Sequence, residues 1–136
     1  RYSDSVLISP TVSTSRGVVH RDSGGDLTLN GKQYVDLVGD SISKSGRTTM
    51  DTSGVITNTC FNTSSSVYGT LYCQDYATYS VAGGDSGGTV YGFDTNSGTY
   101  KWYGIHWGVF TSGTYNGKAI FSTVHDIEND QGTLTI

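Results

Sequence analysis

An all-β barrel ending in one short helix is the fold class this sequence predicts. Ser, Thr, Gly and Tyr dominate it, with 19 Gly, 10 Tyr and a single Pro in 136 residues. That mixture suits strands joined by tight turns, whereas helices favour Ala, Leu, Glu and Lys. Strand-sized runs of β-branched and aromatic residues alternate with turn signals along the chain. Two Asn-Gly pairs, Asn30-Gly31 and Asn116-Gly117, stand between such runs, and each tolerates the positive φ that a hairpin turn needs.

The first runs are Val6-Leu7-Ile8 and Gly17-Val18-Val19. Leu27 to Leu29 and Gln33 to Val38 flank Asn30-Gly31 and predict a hairpin. Ser41 to Lys44, Val55-Ile56-Thr57, Thr70-Leu71-Tyr72, Thr89 to Gly92 and Tyr100 to Trp107 each read as a strand. Val109-Phe110 and Ala119-Ile120-Phe121 predict a second hairpin around Asn116-Gly117. The predicted helix is Thr123 to Asn129, with Thr123 as its cap and the charges of Asp126 and Glu128 in its early turns. There is no internal repeat or low-complexity tract, although residues 1 to 30 are more polar and less periodic than the rest.

The length allows one domain with its own core and is too short for two. Eight Lys and Arg against 12 Asp and Glu give a net charge of −4 without charge runs, so no footprint for nucleic acid or an anionic membrane is expected. No apolar stretch approaches the roughly 18 residues that span a bilayer. A start at Arg1, without Met or leader, is expected of a processed piece. Cys60 and Cys73 lack the CxxC or histidine company of a metal site, so neither metal nor cofactor is expected. Two readings of the pair stand. A disulfide would constrain the unfolded chain by roughly 3 kcal/mol, as in small secreted domains; the alternative is two buried thiols. Asn62-Thr63-Ser64, a glycosylation sequon, falls between them.

Gly83-Gly84-Asp85-Ser86-Gly87-Gly88 carries the chemistry. A serine hydroxyl becomes a nucleophile when a base takes its proton, and the oxyanion formed on attack needs donors already aimed at it. Glycines on both sides permit a turn that points successive amides into one small space. A plain Gly-rich turn is the other reading.

In this segment the sequence resembles the chymotrypsin-like (trypsin-like) serine proteases, whose nucleophile motif is GDSGG. Gly104-Ile105-His106-Trp107-Gly108 is similar to the family's substrate-binding strand. Lys44-Ser45-Gly46-Arg47-Thr48-Thr49 with Gly54-Val55 is similar to the stretch that opens the second barrel in secreted bacterial members. The Cys60 and Cys73 positions resemble a family disulfide closing the loop ahead of the nucleophile, and Ala119 to Val124 resembles the closing strand before the terminal helix. The resemblance runs from about residue 33 to 136 and implies a six-stranded Greek-key barrel of the chymotrypsin-like fold. It implies residues 1–32 as the end of a first barrel and the connection, and 33–136 as the second, C-terminal barrel.

It further implies serine endopeptidase activity through an acyl-enzyme on Ser86, with Gly84 and Ser86 amides as the oxyanion hole. Asp85 would turn away from substrate toward a cation, Lys44 first and Arg47 second. Ser3-Asp4-Ser5-Val6-Leu7-Ile8 resembles the family segment whose Asp orients the catalytic histidine, making Asp4 the triad carboxylate or, alternatively, a solvated Asp near the terminus. The catalytic histidine would precede it. His20 and His125 read as loop or solvated residues, so an N-terminal barrel supplying the histidine is the expected partner, and the chain alone is expected to be nearly inert. The other reading is a non-catalytic binding or scaffold domain. Ser80, Val81, His106, Trp107, Gly108 and Ala119 fall at substrate-binding positions, without a carboxylate to select Lys or Arg. Glu or Gln read by His106, as in glutamyl endopeptidases, and a large apolar P1 side chain both remain, with Glu cleavage expected to fall as the imidazole deprotonates near its ordinary pKa of about 6.5. Extracellular location is the corresponding expectation.

Overall fold

The computed structural model describes residues 1–3, 5, 17–22, 24–67 and 69–135. The predicted strand Val6-Leu7-Ile8 and the triad candidate Asp4 lie outside the described residues. Among the described residues eight strands and one helix follow in order: β1 (Val18–Arg21), β2 (Gly25–Thr28), β3 (Ser41–Gly46), β4 (Met50–Ser65), β5 (Gly69–Ala77), β6 (Thr89–Asp94), β7 (Thr99–Val109), β8 (Ala119–Thr123) and α1 (Val124–Gln131).

The six strands β3 to β8 pair antiparallel in the order β3-β4-β5-β8-β7-β6, and β3 also pairs with β6, so the ring returns on itself. Closure leaves the barrel without a free edge along its paired length. Its interior is filled by Ile42, Ile56, Ala77, Tyr79, Val90, Tyr103, Ala119 and Phe121, which alternate along their strands with outward residues, as the strand repeat of two requires. The connection from β5 to β6 crosses from one side of the ring to the other. It carries the Gly-rich turn across the end of the barrel, beside the short β3–β4 turn.

α1 follows β8 directly. Thr123 Oγ1 accepts from the Asp126 amide, and the Asp126 carboxylate accepts from the Thr123 amide, forming a reciprocal capping box. Val124 and Ile127 bury the inner face of the helix. On its outer side Asp130 accepts from the Tyr2 and Ser3 amides, which ties the start of the chain to its end. Lys32 reaches across to Glu128 at 2.6 Å. No helix among the described residues is long and apolar enough to cross a membrane.

The predicted Asn116-Gly117 hairpin forms: Gly117 N–H donates to Phe110 O, and Phe110 N–H to Lys118 O, as β7 turns into β8. The one predicted at Asn30-Gly31 does not. β8 pairs with β7 only from Gly104 onward, which leaves that edge of β7 open at Tyr100–Trp102. The Asn30-Gly31 segment takes this edge, with Asn30 N–H on Tyr100 O, Trp102 N–H on Gly31 O and Gln33 N–H on Trp102 O. Long-range pairing replaces the local hairpin, and Gln33 to Val38 is not a strand. β1 and β2 instead pair with each other and pack Val19, Leu27 and Leu29 on Tyr91, Tyr100 and Trp102 outside the barrel.

Cys60 and Cys73 are joined. The bridge links β4 to β5 across the hairpin, so it closes a pair of strands where a loop is expected from the resemblance. β4 is bulged here, with register shifts between Asn58 and Phe61 and between Phe61 and Thr63, and the Cys60 amide donates to Asp75 Oδ1 at 2.8 Å.

β7 and β8 come closest at Gly104. A Cβ there would collide with the Ser122 carbonyl oxygen and meet Thr123 Cα at 3.1 Å. Gly104→Ala is therefore expected to lower unfolding free energy in urea by about 3 kcal/mol. Gly108→Ala, whose Cβ would meet only Ile120 Cδ1 at 3.6 Å, should stay within about 1 kcal/mol of the parent.

Candidate active site

Residues 78–88 form the crossing loop, and its shape is set by a buried charge. Asp85 is fully buried. Its Oδ1 accepts from the Thr48 amide at 2.7 Å and the Thr49 amide at 3.0 Å, and its Oδ2 from Thr49 Oγ1 at 2.6 Å and the Ala82 amide at 3.0 Å. Lys44 Nζ lies 3.1 Å from Oδ2, and neither side chain is exposed. Lys44 also donates to Thr49 Oγ1 and to Met50 O. Arg47, the second cation candidate, is exposed. Burial alone would push the Asp85 carboxyl up, but its hydrogen bonds from Thr49, Ala82 and Thr48 outweigh that and hold it well below the usual carboxylate range.

The glycines around this pair are there for space. At Gly46 a Cβ would lie 2.7 Å from Asp85 Oδ1 and 3.0 Å from Lys44 Nζ; at Gly88 it would lie 2.7 Å from Ser45 O. Gly84, at φ +100°, needs the left-handed region that glycine alone enters freely. The turn is stapled to β7 as well: Gly87 N–H donates to His106 O, and His106 N–H to Gly88 O.

Asp85 points inward, so its neighbour points outward. Ser86 is exposed, and its Oγ donates to Trp107 O at 3.2 Å. Among the described residues neither the Gly84 nor the Ser86 backbone N–H donates to a protein acceptor. None of the three histidines is hydrogen-bonded to Ser86. His20 is exposed and its Nδ1 lies 2.9 Å from Asp26 Oδ1; exposed His125 sits 3.4 Å from Asn129 Nδ2.

His106 faces the barrel interior at 2 % exposure. Its Nδ1 lies 3.3 Å from the Tyr79 hydroxyl, and the two rings meet edge to face at 5.6 Å. Burial, aided by the Lys44 charge, lowers its pKa to about 4, against smaller upward effects of Asp85 and a backbone hydrogen bond to Ile120. This departs from the ordinary value behind the pH expectation above. At neutral pH the imidazole is uncharged, and its Nδ1 shares a hydrogen bond with Tyr79, whose hydroxyl burial keeps protonated.

The remaining predicted site residues are spread over three elements. Ser80 is exposed and its carbonyl accepts from Thr52 Oγ1, Val81 packs partly against the core, and Gly108 is half-buried beside Ile120. Ala119 is fully buried within the core. Trp107 turns away from His106, as strand alternation dictates, and donates Nε1–H to Gln74 Oε1 at 2.8 Å. Sequence reasoning missed Tyr79 and Gln74. No motif marks them, and only the pairing of β5 with β8, and of β8 with β7, brings them to the site. Among the described residues no group of three His, Cys, Asp or Glu side chains is arranged to hold a metal.

Lys44→Met would leave the Asp85 carboxylate without its cation, an expected loss of about 3–5 kcal/mol in urea unfolding; adding Asp85→Asn should recover part of it. Because the Asp85 pKa is depressed in the fold, its contribution is complete above the unfolded value of about 4 and is lost as pH falls below it.

No family model and no curated protein matches the chain. Solved structures do. The chymotrypsin of Cellulomonas bogoriensis aligns with a TM-score of 0.75 and 24 % identity, over 93 % of this chain and 65 % of its own. A glutamic-acid-specific serine protease, described as using a histidine triad in substrate binding, aligns at 0.72 and 29 %, over 90 % of this chain and 62 % of its own. Protease A of Thermobifida fusca aligns at 0.72 and 26 %, over 90 % and 62 %. This chain thus spans less than two thirds of the length of these structures, and over that span it has the chymotrypsin-like fold of bacterial serine proteases.

Proposed function

We propose that this chain carries the nucleophile of an extracellular serine endopeptidase whose substrates are peptides or proteins. The reading rests on one observation: a turn held by the Lys44–Asp85 pair that exposes Ser86 beside two backbone N–H groups without protein acceptors. In the proposed reaction Ser86 Oγ adds to the scissile carbonyl and gives its proton to a histidine, while the Gly84 and Ser86 amides hold the oxyanion. Collapse releases the amine and leaves an acyl-Ser86, which water then hydrolyses. Asp4 would orient the histidine.

The histidine belongs, on this proposal, to a barrel outside these 136 residues, because His20, His106 and His125 have their partners elsewhere. The span of less than two thirds of the neighbouring proteases agrees with it. By itself the chain should turn over a peptide substrate only at background. Joined to the histidine-bearing barrel it should label with a fluorophosphonate at Ser86, and Ser86→Ala should abolish labelling. A complete protein that never labels would leave the binding or scaffold reading.

For specificity we propose that Ser80, Val81, Gly108 and the edge of β7 receive the P1 side chain over a neutral His106, which Tyr79 holds from below, with Glu or Gln preferred to Lys or Arg. The ratio of kcat/KM for Glu over Gln substrates should then stay flat between pH 5.5 and 7.5, since an imidazole with a pKa near 4 does not change charge there. The catalytic histidine moves both substrates together and cancels from the ratio. A ratio that falls about tenfold across that window would mean that His106 titrates in it and binds Glu as a cation.

A further inference from the structure

Three carboxyl side chains, Asp36, Asp75 and Asp126, line one cavity of about 260 Å³. It lies between the segment before β3, the β4–β5 pair and the start of α1, and its apolar walls come from Tyr34, Val35 and the Cys60–Cys73 bridge. Asp75 is 2 % exposed and Asp126 1 %. The Asp126 carboxylate is used by Thr123 at the helix cap. The other two are not so provided for. Asp75 Oδ1 accepts from the Cys60 amide, but its Oδ2 and both Asp36 oxygens are buried with no donor among the described residues other than the proton that Asp36 shares with Asp75.

Buried carboxyls without donors must either keep a proton or face a cation. The groups around them do not supply the cation. Asp40 stands near Asp36 on its own segment, β5 contributes Asp75, and α1 contributes Asp126, Asp130 and exposed His125, which touches Asp126 electrostatically. β4 contributes Thr59 and Cys60, and neither titrates there. No Lys or Arg among the described residues lines the cavity. A divalent metal is disfavoured too, since no three donors converge on a point. A guanidinium or ammonium head needs no such convergence: it hydrogen-bonds to carboxylates singly, and its alkyl stem suits apolar walls.

We infer that this cavity binds an alkylguanidinium or alkylammonium group, free or borne on an Arg or Lys side chain, with Asp75 and Asp36 as its carboxylate partners. Burial raises both carboxyls above the ordinary range, with the Asp75 charge and their shared hydrogen bond pushing Asp36 further up, and burial takes Asp126 to about 6 despite its bonds from Thr123. Binding therefore expels a proton, and affinity strengthens with pH by roughly tenfold per unit while one proton is displaced.

The test is a calorimetric titration of the 136-residue chain with agmatine, with the peptide acetyl-Gly-Arg-Gly-amide and with calcium, at pH 5, 6 and 7. Saturable one-to-one binding of an organic cation, rising with pH and weakened at least tenfold by Asp36→Asn and by Asp75→Asn, is the expected result. Both variants should remain folded by circular dichroism, because each replaces a buried carboxyl that has no counter-ion by an amide of nearly the same size. Peptide binding at least as tight as agmatine assigns the site to a side chain; agmatine binding alone assigns it to a free ligand. Absence of saturable binding at every pH, binding that ignores both substitutions, or saturable binding of calcium alone overturns the inference.

Discussion

The buried Lys44–Asp85 pair is the constraint on which the rest of the site depends. Two charges removed from water carry a desolvation penalty of several kcal/mol each, and here that penalty is met by geometry rather than by the single ionic contact. The Asp85 carboxylate collects four hydrogen bonds, from Thr48, Thr49 and Ala82, besides the ammonium. Each donor comes from a different side of the barrel end: Lys44 from β3, the two threonines from the β3–β4 turn, Ala82 from the crossing loop. The pair therefore locks three pieces of chain to one another. With Asp85 committed inward, Ser86 has to face outward, and the adjoining amides take the direction left to them.

This explains why a run of small residues is needed around charges. Gly46 and Gly88 leave the space into which Lys44 and Asp85 fit, and Gly84 supplies the left-handed turn between them and the surface. The four motif glycines are not equivalent: Gly83 and Gly87 would meet nothing with a Cβ, whereas Gly88 would strike Ser45 O and Asp85 O. A substitution table of the motif should be uneven for that reason, with backbone conformation deciding at Gly84 and Gly87, and packing at Gly88.

Local signals made much of this readable in the sequence. Strand periodicity, the Asn116-Gly117 turn and the Thr123 cap are each written in a few adjacent residues, and each corresponds to the observed element. Lys44 as the partner of Asp85 follows from the family resemblance, whereas the Thr48 and Thr49 donors carry no signal in the sequence. What could not be read was set by distant pairing. Asn30-Gly31 carries a good hairpin signal, yet the open edge of β7 takes that segment. Tyr79 and Gln74 look like ordinary strand residues until β5 is placed against β8. Likewise the sequence allows an ordinary imidazole at His106, and only burial beside Lys44 lowers it.

Asp85 and Asp75 show how the same residue type comes to opposite pKa shifts. Both are buried in the same small chain, at 0 % and 2 % exposure. Asp85 has donors for both oxygens and a cation, so the ionised form is the stable one. Asp75 has one backbone amide and a hydrogen bond from Asp36 but no cation, so burial prevails and its pKa rises to about 6. Burial does not decide the charge; the number of donors does. The consequences for stability run in opposite directions. Asp85, and His106 kept neutral, destabilise the fold as pH falls, Asp85 below about 4 and His106 below about 6.5. The Asp36–Asp75–Asp126 cluster, with pKa values raised in the fold, destabilises it as pH rises above the unfolded carboxylate value, progressively until the folded groups have ionised. The turn that carries Ser86 thus rests on a matched charge, which loss of either partner weakens. The cavity beside α1 holds unmatched carboxyls, whose repulsion at neutral pH a cation would relieve.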